Sequence, residues 1–293
     1  MSGAGPSIGI TGARGFIGGH LVEHFADARW AVRAFHRDPA GPPRENVTRR
    51  AFRMPEGVNA DDFAGLDWVI HAAVQDYGPV CRDADRVNLE GTRRVLAACR
   101  RHGVRLIFLS TLSAHDRAES HYGRSKLEIE AILRRTAACV LRLGLVLGRS
   151  GGLFGGMVET IRHARVIPLP DGGRQPIQTL ALDDLVRVIE RVMEQNLAGS
   201  FEIATPRVYR MRDLYRTVMA CLGVRRLLVP VPLGLVGLGV GALEALHVPF
   251  PITSENVRGL RQLRAFDTLR DLATLGLELE EMEPAVRRLL SGA

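Results

Sequence analysis

The chain has 293 residues, enough for one large domain or two smaller ones and for a substantial buried core. With 46% hydrophobic and 24% charged residues it has the composition of a globular protein, which excludes a disordered or low-complexity chain. The net charge of +7 comes from arginines spread along the chain, Lys126 being the only lysine; with no basic run interleaved with aromatics and no nucleic-acid motif, a solvated surface and an anionic cofactor account for it, and no nucleic-acid partner is expected. Four cysteines (Cys81, Cys99, Cys139, Cys221) lie far apart, with neither CxxC nor metal-ligand spacing, so reduced thiols and no metal site are expected. No signal peptide precedes the first apolar segment, which makes the cytoplasm the expected location.

Taken in order, 7–11 reads as a short strand, a glycine turn follows, and 16–25 has apolar residues at helical spacing. Residues 31–35 form a second strand, ended by His36, Arg37, Asp38 and Pro39. From there to residue 57 proline, glycine and arginine dominate, and the segment reads as loop with one weak strand. The run LDWVIHAA (66–73) is a strand, 83–102 a long helix stopped by Gly103, 106–109 a strand, 122–136 a helix and 138–147 a strand. Strands alternating with helices predict an α/β fold, a doubly wound parallel Rossmann sheet over residues 1–150. Beyond it, GRSGGLFGG (148–156) reads as a flexible boundary, 183–195 and 211–222 as helices, and 201–204 as a short strand. Residues 181–206 are expected to return to the main sheet, and 151–180 with 207–293 to form a smaller, interleaved substrate-side region. The apolar stretch 227–246 is too interrupted by Pro230, Pro232 and Glu244 to supply the ~20 apolar residues of a membrane span. It reads as a buried helix, with a membrane or partner-subunit surface as the alternative.

Two clusters carry chemistry. TGARGFIGG spaces Gly12, Gly15 and Gly18 as GxxGxxG between a strand and a helix, the context in which glycines give a tight turn, a close approach to a pyrophosphate and close helix–strand packing. The helix N-terminus at Phe16 and Ile17 then offers free N–H groups to the phosphates. At the end of the second strand, where an acid would hold the ribose 2′-hydroxyl of NAD, stand His36 and Arg37; Arg37, helped by Arg14, suits the 2′-phosphate of NADP. The second cluster is YGRSK: Tyr122 and Lys126 are four apart and share a helix face, and a nearby ammonium lowers a phenol whose ordinary pKa is about 10. This helix follows a strand ending in Ser110, Thr111 and Ser113. Lysine at position 126, in a chain that otherwise uses arginine, marks a need for a compact ammonium.

TGARGFIGG, LDWVIHAA, VNLEGT (87–92), LIFLSTLS and YGRSK, in this order, resemble the extended short-chain dehydrogenase/reductase superfamily, which includes the NAD-dependent epimerase/dehydratase enzymes. The resemblance implies that Thr111 holds a substrate carbonyl, with Ser110 and Ser113 as alternatives. It implies that Tyr122 passes a proton, Lys126 supports Tyr122 and the ribose, and Asn88 supports the site. It places Ala72, Ala73 and Ser110 beside the cofactor, with Leu143 and Gly144 in an LRLG segment similar to the family's LRPG beside the nicotinamide. VRAFHRDP is similar to the NADP-selecting strand end of dihydroflavonol-reductase-like members. Phe52, Arg53 and Met54 occupy a region where the family has an aspartate near the adenine. The second half, through SFEIATP, VPVPLGLVGLG and PFPITSENVRGL, resembles bacterial relatives of the nucleotide-binding accessory subunit of respiratory complex I, a branch whose members often bind NADPH without known turnover.

The leading expectation is an NADP-dependent oxidoreductase acting on a carbonyl or alcohol, with epimerase or dehydratase chemistry open on the same residues. A small, apolar, lipid-like or quinone-like substrate is suggested by 227–246. Arg162, Arg165 and Arg174 follow residue 150 without a recognisable diphosphate motif. The alternative is a non-catalytic NADPH-binding assembly or accessory protein. Oligomeric state stays open.

Overall fold

A computed structural model describes residues 5–75, 83–245 and 254–291. Its elements begin with β1 (Ser7–Thr11), α1 (Phe16–Asp27), β2 (Ala31–His36), β3 (Val47–Ala51), β4 (Trp68–His71), α2 (Ala84–His102), β5 (Arg105–Thr111) and α3 (His121–Leu133). They continue with β6 (Cys139–Leu143), β7 (Leu145–Leu147), α4 (Gly152–His163), β8 (Val166–Pro170), β9 (Pro176–Ile177), β10 (Thr179–Ala181), α5 (Leu182–Glu194) and β11 (Gly199–Ile203). β12 (Tyr209–Arg210), α6 (Met211–Cys221), β13 (Leu227–Val231), α7 (Leu233–Ala245), α8 (Ser254–Arg261), α9 (Leu269–Leu275) and α10 (Met282–Leu290) complete them. The described residues divide into two compact units, one from 1–110, 125–141 and 192–201, the other from 111–124, 142–191 and 202–293.

The first unit is built on a seven-stranded sheet in the order β11-β6-β5-β4-β1-β2-β3, the doubly wound α/β architecture. β1 lies between β2 and β4, parallel to both, with Ile8↔Val32 and Ile8↔Trp68 in register. A central parallel strand is covered on both faces, and β4 accordingly buries all four residues of WVIH. β3 is different: VTRRA buries only Val47, yet it pairs along its whole length with β2, from Val32↔Val47 to His36↔Ala51. Its polarity fits an edge strand, where charged side chains discourage pairing with other chains. α2 is amphipathic; Asn88, Thr92, Val95, Leu96 and Cys99 recur at helical spacing on its buried side, and Gly103 ends it. Phe35 is the hub of the core here, stacked on Phe63 at 4.9 Å and edge-on to Phe52 at 5.6 Å. Phe52, one of the residues standing where the family's aspartate is expected, is thus a core aromatic.

In the second unit β7 pairs with β10 and β13 with β8, both in parallel, and β9 pairs antiparallel with β12. Its core gathers Phe154, Met157, Val158 and Ile161 of α4, Leu214 and Val218 of α6, and Met282, Val286 and Leu289 of α10.

Three expectations are corrected. The strand expected over 138–147 breaks at Gly144, whose N–H donates to the Ile203 carbonyl at 3.0 Å, so that β7 leaves β6 and pairs with β10. The flexible boundary expected over 148–156 runs into α4 at Gly152: the apolar spacing 154, 157, 158, 161 carries the helix through its early glycines. The stretch 227–246 is a strand followed by a helix rather than one buried helix. Pro230 and Pro232 have no N–H to give to a helix, and α7 begins only after Pro232, whose carbonyl accepts from the N–H of Leu235 at 2.9 Å. Leu235 is 59% exposed and Leu227 62%, so the stretch is only partly buried. Residue 246, the PFPIT of the resemblance and Cys81 lie outside the described residues. Among those described, no helix is long and apolar enough to cross a membrane.

Truncating a fully buried phenylalanine loses transfer energy and leaves a cavity, so Phe35→Ala should destabilise the protein by about 3–5 kcal/mol. Urea unfolding followed by circular dichroism measures this; an unchanged midpoint would remove Phe35 from the centre of this core.

Candidate active site

The C-terminal ends of β1 and β4 meet at Gly12. This residue has φ +67°, and a Cβ on it would lie 2.9 Å from the backbone of Ala73. Gly18, in the first turn of α1, leaves no more room: a Cβ there would strike the Gly12 carbonyl oxygen. Ala13 N–H reaches across to the Phe35 carbonyl at 3.3 Å, and Gly15 N–H closes the turn on the Gly12 carbonyl at 2.8 Å. No side chain caps α1 at Gly15 and no acid stands in its first turn, so the helix N-terminus presents N–H groups and the positive end of its dipole without a protein anion against them. Phe16 and Ile17, which open α1, are half-buried. This is a cradle shaped for a phosphate-bearing group, and the residues present fit a dinucleotide.

Beneath it runs a buried polar chain that sequence reading did not single out. His71, at the end of β4, is fully buried between Thr11 and Thr92; its Nδ1 lies 2.7 Å from Thr11 Oγ1 and its Nε2 lies 3.1 Å from Thr92 Oγ1. Thr92 donates its hydroxyl proton to the Asn88 carbonyl at 2.8 Å, so it can only accept from His71. His71 therefore carries its proton on Nε2 and accepts at Nδ1 from Thr11, which in turn accepts from Ala73 N–H at 3.1 Å. Burial first, and the charge of Lys126 second, push the imidazole down to about 3, consistent with this neutral tautomer. One ring thus ties β1, β4 and α2 together under the glycine turn.

Asn88, 4% exposed, brackets the backbone of Gln75: its Oδ1 accepts from Gln75 N–H at 2.7 Å and its Nδ2 donates to the Gln75 carbonyl at 3.0 Å. The Gln75 side chain then accepts from Arg37 Nη2 at 2.6 Å. Gln75 is a second residue that no sequence motif singles out. At the end of β2, His36 is buried with both ring nitrogens unpartnered. Its pKa is lowered by burial first and then by Arg14 and Arg49. Arg49 sits on the weak edge strand β3, opposite Ala34. The acid nearby, Asp38, caps its own turn through Ala40 N–H at 3.0 Å and lies 3.7 Å from Arg14, which also donates to the Ala40 carbonyl. The end of β2 is therefore a basic corner with an orphaned buried ring.

Lys126, on α3, is buried; its Nζ donates to the Leu109 carbonyl at 2.7 Å and stands 4.4 Å from the centre of the Phe108 ring. Burial lowers its pKa to about 8, against the opposing pull of Glu130. Ser110 gives its hydroxyl to Glu130 at 2.5 Å, which occupies this serine as a donor. The first unit therefore holds Gly12, Arg14, Gly15, Phe16, Ile17, Gly18, His36, Arg37, Ala72, Ala73, Asn88, Ser110 and Lys126. Thr111, Tyr122, Leu143 and Gly144 belong to the second unit. There the Thr111 hydroxyl accepts from Ser113 N–H at 3.2 Å, and the Leu143 carbonyl accepts from Leu112 N–H at 3.0 Å. Tyr122, 36% exposed, precedes Lys126 by one turn of α3. Of the expected reduced cysteines, Cys99 and Cys139 are buried, and burial pushes both thiols up to about 12.

Fold and cradle together define a dinucleotide-binding Rossmann protein, and the comparisons with known proteins narrow this. Residues 8–204 match the NAD dependent epimerase/dehydratase family; the chain belongs to that family and is an NAD(P)-binding enzyme of its class. A ceramide reductase from Caulobacter vibrioides (strain NA1000 / CB15N) is 25% identical over 233 residues, 77% of this chain and 73% of that protein. The N-acetyl-alpha-D-glucosaminyl-diphospho-ditrans,octacis-undecaprenol 4-epimerase of Escherichia coli O157:H7 is 31% identical over 141 residues, 43% of this chain and 42% of its own. The fold is shared with the UDP-glucose 4-epimerase of Thermotoga maritima, solved with UDP-glucose, at 21% identity and a TM-score of 0.76 over 97% of both chains.

A neutral buried histidine resists protonation that the unfolded chain accepts. Below the ordinary value of 6.5 the unfolded state takes up a proton that folded His71 refuses until about 3, so its contribution is full above pH 6.5 and lost as pH falls through that window. The urea midpoint should drop more between pH 7 and 4.5 in wild type than in His71→Gln. An equal drop in both would show that His71 is not the group responsible.

Proposed function

We propose that the chain is an NADP-dependent oxidoreductase that moves hydride between the cofactor and a carbonyl or alcohol carbon of an apolar substrate. The observation that carries the cofactor choice is the corner at the end of β2: a buried His36 with both nitrogens unpartnered, flanked by Arg14 and Arg49 and followed by Arg37. A 2′-phosphate adds anionic oxygens to a corner whose nearby carboxylate, Asp38, lies against Arg14, and guanidinium groups grip it through paired hydrogen bonds. A ribose 2′-hydroxyl would instead call for an acid, and Asp38 is turned to Ala40 and Arg14.

The nicotinamide of the bound cofactor supplies or takes up hydride. Tyr122 gives the substrate oxygen its proton during reduction and takes it back during oxidation, while Thr111 holds that oxygen. Lys126, its ammonium made less stable by burial, holds the ribose. Asn88 holds the chain after β4 in place through Gln75 and thereby sets where Arg37 stands. The two curated relatives are named for lipid-bearing substrates, a ceramide and a sugar on diphospho-undecaprenol, which supports an apolar substrate here. The ceramide reductase, matched over most of its length, favours reduction over epimerisation.

Arg37→Ala should weaken NADPH by roughly 10–100-fold, the worth of one charge-assisted contact, and leave NADH within about twofold in a fluorescence titration. Equal weakening of both would contradict the NADP assignment. Tyr122→Phe should lower kcat for carbonyl reduction by about 10²–10⁴ while NADPH still binds. The ammonium of Lys126 is present below pH 8 and lost above it, so kcat/KM for reduction should fall on the alkaline side with a limb near 8. A profile flat to pH 9.5 would show that this proton is not needed.

A further inference from the structure

A cleft of about 640 Å³ lies within the second unit, in the size range of small-molecule sites. Its wall is made by Pro230, Val231, Pro232 and Leu233, where β13 passes into α7, and by Leu260 and Leu263. No residue of its lining is aromatic, so a nucleobase finds no ring to stack on. Among its polar residues, Asp171 and Gln175 are engaged: Asp171 Oδ1 accepts from Leu233 N–H at 2.8 Å, fixing the start of α7, and Gln175 Nε2 donates to the Pro170 carbonyl at 3.1 Å. Arg174 and Arg261 differ. Both are exposed at the cleft, and neither meets a carboxylate among the described residues. Elsewhere in this unit Arg142, Arg187 and Arg288 are paired with Glu202, Asp184 and Glu280. Two unpaired guanidiniums beside an aliphatic wall are complementary to an oxyanion joined to a hydrocarbon chain; the forked donors of arginine match phosphate, sulfate or carboxylate oxygens, and the wall removes methylene groups from water.

We propose that this cleft binds a long-chain amphiphile with an anionic head, the chain lying against the proline–valine–leucine wall and the head held by Arg174 and Arg261. This deepens the apolar-substrate reading, on which the amphiphile's role as substrate rests, while binding itself is tested without turnover.

The probe is dodecyl phosphate, titrated below its micelle concentration into the full-length protein by calorimetry. Inorganic phosphate, dodecanol and UDP serve as comparisons. Saturable binding of dodecyl phosphate, weaker binding of dodecanol and none of inorganic phosphate are expected. In the Arg174→Gln, Arg261→Gln double variant, dodecyl phosphate should bind at least tenfold more weakly with NADPH affinity unchanged. Wild-type affinity for dodecyl phosphate in the double variant would overturn the proposal. So would UDP binding more tightly than dodecyl phosphate and being lost in that variant, since the cleft would then be a nucleotide site. If dodecyl phosphate binds as expected but no carbonyl compound is turned over with NADPH, the cleft stands and the oxidoreductase reading fails.

Discussion

The backbone of α1 approaches the end of β1 so closely that any side chain at Gly18 would overlap the carbonyl of Gly12. This contact fixes where the helix begins, and so where its uncapped N–H groups and its dipole point. Gly12, held in the left-handed region, carries the chain out of the sheet beside Ala72 and Ala73, which follow the end of β4. The remainder of the first unit's site is arranged around this turn, and most of its specific features are ways of keeping β1, β4 and α2 where the turn needs them.

His71 is the chief of these. A buried imidazole without partners would be costly, and a charged one more so. Here both nitrogens are satisfied by threonines whose own hydrogen bonds dictate the tautomer, and Thr11 passes the constraint on to Ala73 N–H. His36 shows the opposite condition: a buried ring with neither nitrogen satisfied, at the place where the second strand ends among arginines. Two histidines in the strands on either side of β1 thus differ, one a structural polar link and the other buried without a partner among the described residues, and the difference lies in their hydrogen bonds rather than in their residue type.

Much of this could be read from the sequence. β1 was delimited to the residue, and α1, β2 and α2 to within two, because apolar periodicity and the punctuation by glycine are strong there. The seven-stranded sheet, with the 199–203 strand returning beside β6, follows from the same alternation. The failures have physical reasons. β3 is polar because it is an edge, so its pattern was weak although its pairing is complete. The glycines of 148–156 concealed the apolar face of α4, and a single apolar run at 227–246 concealed a strand and a helix divided by Pro232. The glycine turn, His36 and Arg37 were legible as local motifs. Arg49, Gln75, His71 and Glu130 were not, because their roles come from partners 13 to 60 residues away, as between Asn88 and Gln75 or Thr11 and His71.

The dependence of the site on the Gly12–Gly18 contact is tested most directly by Gly18→Ala, with NADPH and NADH titrated side by side and folding checked by far-UV circular dichroism. A methyl group displaces the start of α1 from β1 and carries the phosphate-facing N–H groups with it. The variant should retain its secondary structure and bind both cofactors at least a hundredfold more weakly, since a pyrophosphate common to both would lie on this turn. Wild-type affinity for either cofactor in a folded Gly18→Ala protein would contradict the placement of the phosphates on this turn.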